Sequence, residues 1–496
     1  MNKIVSSLKN KVFFIWIATV IFSLLFFAVG NYKVEFNVAL IGIVLMWMSG
    51  ITFCFQKIKE RLLLLFFLLA QFVFLIVRPV ISAGRGEKWW VYLEDSELFA
   101  VRGVFLSLMG LMVGGIIATI VITRRENANK GNTTKFGVRI SAYEEKYGKY
   151  VAWLSGLGYL LTWGIQIISG IEKIVLMQGK DYLEFYVGFE SKLPYAFIVI
   201  GSMMKYFLCI YLATRPVKWK SFVVLIMYVV STLPDLIVGI RNPFVLACIF
   251  SFLYYCIRDI IGDKEKWIGR KEKAMTIIAL PLAIVFLSVY TFIRNGTEIA
   301  LHGIGQIFAN FFYGQGVSFD VLAMGYGAIP YLPQRPGRNY TFGGIIDYFT
   351  HGSIGQILFG NEAFPDGNCM INALERNSFA HNMSYIACGE KRYLAGNGLG
   401  SSYVLETYTD FGYIGVIIFS IVMGILLVSA MKWVRSNILT FSIILVALTM
   451  VFFTPRAEST GWIEFLLYIQ FWLPVIACLG GAFVVGKLRG IWLAKK

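Results

Sequence analysis

The chain has 496 residues, 57% of them hydrophobic and 16% aromatic, with a mean hydropathy of +0.69 and a formal net charge of +16. That balance excludes an ordinary soluble globular chain and defines a polytopic, all-α membrane protein. The surplus of positive charge does not call for nucleic acid, because it collects in the connectors on one side of the apolar runs.

A helix needs about 20 apolar residues to cross a bilayer. Twelve such runs follow in order, near 12–30, 36–55, 62–82, 99–122, 151–171, 194–214, 221–238, 243–257, 274–293, 411–431, 438–454 and 462–485. Ala28 and Gly30 after the first run mimic a signal-peptide cleavage site, but the run's length favours an uncleaved helix. Both chain ends and the connectors 56–61, 123–150, 215–220, 258–273 and 432–435 hold 28 Lys/Arg against 8 Asp/Glu, whereas the alternate connectors hold more Asp/Glu than Lys/Arg. The bias of basic residues to the inner side then places both termini in the cytoplasm and the stretch 294–400 outside. The cationic inner face also suits anionic membrane lipids.

The chain therefore divides into nine spans (1–293), a large extracytoplasmic loop (294–400), and three spans with a basic tail (401–496). Within the 123–150 connector, the Asn127–Thr134 run reads as linker, and Arg139–Lys149 as a basic amphipathic surface segment. No internal repeat is evident. The long loop holds all three histidines, His302, His351 and His381. Helix-like stretches at Ile304–Tyr313 and Phe342–Phe349 alternate there with turn signals at Pro330, Pro333, Pro336-Gly337 and Pro365–Gly367. These predict a folded cap of short helices. Five cysteines lie in spans. Cys369 and Cys388 lie in the loop, either as a disulfide or as two free thiols.

The sequence contains no Walker-type loop, no dinucleotide fingerprint and no Asp-x-Asp pair, so no nucleotide, cofactor or metal is expected. Glu94, Asp95 and Glu97 beside Trp89 and Trp90 read as an interfacial belt rather than a metal site. Arginines stand out on the outer side: Arg241 in the Gly239–Pro243 turn, Arg294 at the start of the loop, Arg335 and Arg338 flanking Pro336-Gly337, and Arg456 between the last two spans. A guanidinium presents a planar fork of donors that matches phosphate oxygens. Asp235 and Glu458 are candidate partners for Arg241 and Arg456. Arg102 and Lys205 fall within apolar runs, where a charge draws functional suspicion. His381, beside Asn382, can accept a proton near neutral pH. Ser402, Glu406 and Asp410 follow at helical steps of four, so a carboxylate there can deprotonate a sugar hydroxyl or bind a glycan.

At Gly239-Ile-Arg241-Asn242 and along Gly398–Gly415 the chain resembles the bacterial O-antigen and capsule repeat-unit polymerases, the Wzy-type family. Its His381-Asn382 pair is similar to one in the outer loop of O-antigen ligases. The resemblance implies a membrane glycosyltransferase, similar in architecture to the GT-C-like enzymes. It would transfer a glycan from undecaprenyl pyrophosphate to the next lipid-linked repeat unit without a metal. It further implies Arg241, Arg294, Arg335, Arg338 and Arg456 as pyrophosphate ligands, and Glu406, His381 or Asp410 as catalytic groups. A chain-length regulator and a flippase are the partners it suggests. The rival readings are a lipid-linked oligosaccharide flippase or other secondary transporter, and a ligase. The asymmetry of the two halves weighs against a transporter.

Overall fold

The computed structural model describes residues 2–128, 141–178, 189–262, 265–295 and 303–494. Among the described residues there are helices and no strands, and twelve helices are long and apolar enough to cross a membrane. The fourth runs beyond its predicted apolar stretch, as Glu94–Asn127, and the last begins only at Ile469; the tenth, Tyr403–Trp433, is kinked at Gly412 (φ +64°), so the residues before the predicted start at 411 form a separate helical segment. Hydropathy ends at the first cluster of polar residues, whereas backbone hydrogen bonding carries the helix through them. Lys149 and its neighbours follow the same logic. Ala142–Met177 is one helix of 36 residues, started by a capping box between Ser141 and Glu144. At 1.5 Å per residue it is about 54 Å long, against an apolar core of about 30 Å. Residues 142–149 are thus its first two turns and not a separate surface helix; Arg139 and most of the Asn127–Thr134 run lie outside the described residues.

The chain divides into two compact units. The first comprises Met1–Thr133, Ala300–Met431 and Phe452–Gly461. In its core, Glu94–Asn127 and Tyr403–Trp433 meet backbone to backbone: a Cβ on Gly114 would lie 2.1 Å from the Ile421 carbonyl oxygen, and one on Gly424 would lie 2.4 Å from that of Leu111. Small residues at such crossings are how membrane helices pack, since lipid is as apolar as leucine. Gln71 donates to Tyr403 Oη at 2.6 Å and to Ser107 Oγ at 3.3 Å, so its amide nitrogen links three spans, while its Oε1 is buried without a donor.

The predicted cap is present as seven short α-helices: Ile304–Gln315, Ser318–Ala328, Gly343–His351, Ser353–Phe359, Met370–Leu374, Phe379–Cys388 and Glu390–Leu394. An ion pair of 2.9 Å between Arg78 and Asp320 ties it to the span Ile58–Gly84, and Arg78 also stacks over the Tyr313 ring. Cys369 and Cys388 are both free thiols.

The second unit comprises Thr134–Ile299, Lys432–Val451 and Trp462–Lys496. Its helices are fastened by side chains reaching partner backbones, as with Trp163 Nε1 to the Met227 carbonyl (2.7 Å) and Tyr159 Oη to that of Val224 (2.9 Å). Asp235 pairs with Lys173 at 2.7 Å rather than with Arg241. Lys205 places its ammonium 5.2 Å from the Tyr206 ring centroid and makes no ion pair among the described residues.

Candidate active site

Within the first unit the loop Arg335–Thr341 is shaped by its own sequence. Pro336 and Gly337 occupy the centre of a turn, with Gly337 at φ +73° and Arg338 N donating to the Arg335 carbonyl, the arrangement of a type II turn. The turn is anchored from the helix Tyr403–Trp433. One oxygen of Asp410, Oδ2, accepts from Tyr340 N (2.9 Å), Thr341 N (2.6 Å) and Thr341 Oγ1 (2.7 Å). Asp410 is therefore a bracket for the loop. Replacing it by alanine leaves these donors without their acceptor, which should lower stability by about 1–3 kcal/mol. Thermal unfolding of the detergent-purified variant reads this directly, and an unchanged midpoint would mean that the turn is held elsewhere.

The bracketed loop delivers Arg335 to a second polar segment, 376–378. Arg335 Nη2 donates to the Arg376 carbonyl (2.5 Å) and to Asn377 Oδ1 (3.2 Å), while its Nε is buried and has no acceptor. Arg338 Nη1 donates to the Pro333 carbonyl, and its guanidinium lies 5.3 Å from the Tyr340 ring centroid. Buried Asp347 fixes the segment from below: its two oxygens accept from Asn377 Nδ2 (2.8 Å) and Asn377 N (3.0 Å), and Arg376 Nε stands 3.8 Å away. Burial pushes the Asp347 carboxyl up, against the pull of Asn377 and the two arginines. Burial also lowers Arg335 from the usual guanidinium value, yet an arginine stays charged across the accessible pH range.

The third element is the polar run Thr454–Thr460. Glu406, at the start of the helix Tyr403–Trp433, is 0% exposed. Its Oε1 accepts from Ser401 Oγ (2.7 Å), and its Oε2 accepts from Ser459 N (2.7 Å) and Ser459 Oγ (2.8 Å). Glu406 thus pins the run to the helix. The residue before Ser459 is Glu458, close enough to Glu406 for their charges to interact. Glu458 is half-buried; its Oε1 accepts from Ser378 Oγ at 3.1 Å, and no other hydrogen bond reaches it among the described residues. Burial pushes its carboxyl above the usual value; the Ser378 hydrogen bond and the Arg376 charge oppose this, and the charge of Asp347 adds to it.

His381 is half-buried in the helix Phe379–Cys388, with Nδ1 2.8 Å from Tyr393 Oη, whose hydroxyl also lies 3.3 Å from the Cys369 carbonyl. Burial, reinforced by the charge of Arg376, pulls it from 6.5 to about 4, so the ring is neutral at physiological pH. A depressed pKa adds stability that is complete above 6.5 and is lost as pH falls towards 4. The unfolding midpoint of the native protein should therefore fall more steeply over that window than that of His381→Gln; parallel curves would contradict it. The neighbouring Asn382 is wholly buried, donating to the Ala373 carbonyl and accepting from Tyr340 Oη (2.8 Å).

The structure thus joins Arg335, Arg338, His381, Glu406 and Asp410 in one unit, with Arg456 in the same run as Glu458. Arg456 does not pair with Glu458: its guanidinium lies 5.9 Å from the Phe74 ring centroid, and it makes no hydrogen bond or ion pair among the described residues. Arg241 caps Asn242–Ile261 in the other unit, to which Arg294 also belongs; the side chain of Arg294 lies outside the described residues, as does His302. His351 sits against Phe364, its Nδ1 2.9 Å from Thr350 Oγ1. Arg376, Asn377, Asp347 and Glu458 complete the cluster without having been chosen from the sequence. The signal for Glu458 was its place in a polar run, Thr454-Pro-Arg-Ala-Glu-Ser-Thr460, between two apolar spans.

Twelve membrane-length helices among the described residues, with a folded cap and a cluster of guanidinium and carboxylate groups within it, define a polytopic membrane protein with a polar site held by its cap. Residues 12–487 match the family model for O-antigen polysaccharide polymerase Wzy, and the chain belongs to that family. No curated protein and no solved structure matches it. The protein is accordingly a glycosyl-transfer polymerase that joins lipid-linked repeat units, and neither the flippase nor the ligase reading stands.

Proposed function

We propose that the cluster around Arg335, Arg376 and Glu458 carries out the transfer, at the extracytoplasmic face, on repeat units borne by undecaprenyl pyrophosphate. The single observation that carries this reading is that segment 376–378 holds both a guanidinium with a buried, acceptor-less Nε, on Arg335, and a half-buried carboxyl with one oxygen open, on Glu458. Arg335, Arg338 and Arg376 bind the diphosphate of the donor, with Arg456 a further contact. The acceptor's sugar hydroxyl attacks the donor's anomeric carbon. The new carbon–oxygen bond forms as the bond to the diphosphate breaks, the diphosphate leaves with the electron pair, and Glu458 takes the hydroxyl proton.

A base works best with a pKa near the working pH, and burial moves Glu458 in that direction. Arginines supply the positive charge that a metal would otherwise bring to the leaving diphosphate, so the reaction is proposed to be metal-independent. Glu406, with both oxygens engaged, is a positioning residue for Glu458, and His381 and Asp410 hold the cap. Both termini lie in the cytoplasm on this reading, and a flippase and a chain-length regulator act before and alongside the enzyme. A purified-enzyme assay with a lipid-linked repeat unit tests it. Polymer and free lipid diphosphate should both form with chelator present, and chelator-abolished turnover would count against the arginine-only clamp.

A further inference from the structure

The second unit contains a groove of about 1090 Å³ that the polymerisation chemistry does not use. This lies just above the roughly 300–1,000 Å³ usual for small-molecule sites. One wall is a single stripe of the helix Ala142–Met177, running from Glu144 to Leu160; the other is the turn Thr214–Val217 with Lys220.

The stripe changes character along its length. Lys149, Arg215 and Lys220 lie at one end, and Trp153, Leu157 and Leu160 continue beyond Lys149 along the helix, 62%, 44% and 53% exposed. From residue 149 to residue 160 the helix rises about 16 Å, roughly half of a 30 Å apolar core and hence the depth of one leaflet. Cation at the mouth and apolar wall for one leaflet's depth is the outline of a phospholipid with a negatively charged headgroup.

Lys149 and Lys220 make no hydrogen bond or ion pair among the described residues. Glu144, held by Ile438 N and Ser141 N, and Glu145 set two negative charges against the three positive ones of Lys149, Arg215 and Lys220, so the mouth keeps a net positive charge. Arg215 is held in place by the Val434 and Ser436 carbonyls, at 3.3 and 3.4 Å, with its backbone at φ +57°. A non-glycine residue in that conformation persists only when its surroundings fix it, so the guanidinium is a preset part of the mouth.

We infer that this groove binds an anionic glycerophospholipid of the surrounding bilayer. The inference does not rest on the catalytic reading, and its test does not use polymerisation as readout. Native mass spectrometry of the detergent-purified full chain, with phosphatidylglycerol and phosphatidylcholine of identical acyl chains, measures the binding. Phosphatidylglycerol should be retained preferentially and should raise the unfolding temperature.

In Lys149→Gln/Lys220→Gln its affinity should fall about five-fold per lysine, the equivalent of about 1 kcal/mol each. Lys149→Arg/Lys220→Arg should restore it, and the lipid-free unfolding temperature shows whether each variant is folded. Equal retention of the two lipids would overturn the proposal, as would preference unchanged in the glutamine variant or displacement only by undecaprenyl phosphate.

Discussion

Glu458→Gln should abolish long chains in a glycan gel and leave single lipid-linked repeat units to accumulate, with turnover down about 10²- to 10⁴-fold, the range expected when a general base is removed. Glutamine keeps the size of the side chain and still offers Ser378 an oxygen, so the 3.1 Å contact survives and the unfolding temperature should hardly move. Glu406→Ala makes the control. It strips the acceptor from Ser401 Oγ, Ser459 N and Ser459 Oγ in a fully buried place. Leaving buried donors unsatisfied costs about 1–3 kcal/mol, so this variant should lose stability and activity together. Undiminished polymer in the glutamine variant would remove Glu458 from the chemistry.

The second large effect is expected at Arg335. Its guanidinium is locked by the Arg376 carbonyl and Asn377, and its Nε faces no acceptor in the protein. Lysine keeps the charge but not the planar fork, so Arg335→Lys should be nearly as inactive as Arg335→Ala, not intermediate. Loss of one preorganised donor to developing charge lowers turnover about 10²- to 10³-fold. Arg376→Ala should act on the same step and so combine with Arg335→Ala less than additively, as residues sharing one ligand do. Steady-state kinetics with a purified lipid-linked repeat unit measure both. A lysine variant of full activity, or strict additivity, would point to a diffuse electrostatic role.

Hydropathy revealed the twelve spans because the bilayer imposes length and apolarity on every one, and Pro336-Gly337 announced the turn that carries Arg335 and Arg338. The cap was readable as helices separated by Pro and Gly, though its tie through Arg78 and Asp320 was not. Glu406 was visible as a carboxylate at the start of a helix, but a sequence cannot show that both its oxygens are taken. Helical spacing placed Glu406 and Asp410 on one face, yet one bonds Ser401 and Ser459 and the other bonds the Tyr340-Thr341 loop. Glu458 was read only as a partner for Arg456, and Arg376 was not singled out, because their places in the cluster come from contacts across the chain. Ser378 is 80 residues from Glu458, and Arg335 is 41 from Arg376. Such neighbours are created by folding and leave no local pattern.

Which carboxyl or imidazole accepts the proton is read most directly from the pH profile of kcat/KM. A base acts when deprotonated, so activity should rise with pH through a pKa above the usual carboxylate value, set by the burial of Glu458. This acid limb should disappear from the residual activity of Glu458→Gln and persist in His381→Gln. A limb that survives in Glu458→Gln and vanishes in His381→Gln would contradict Glu458 as the base.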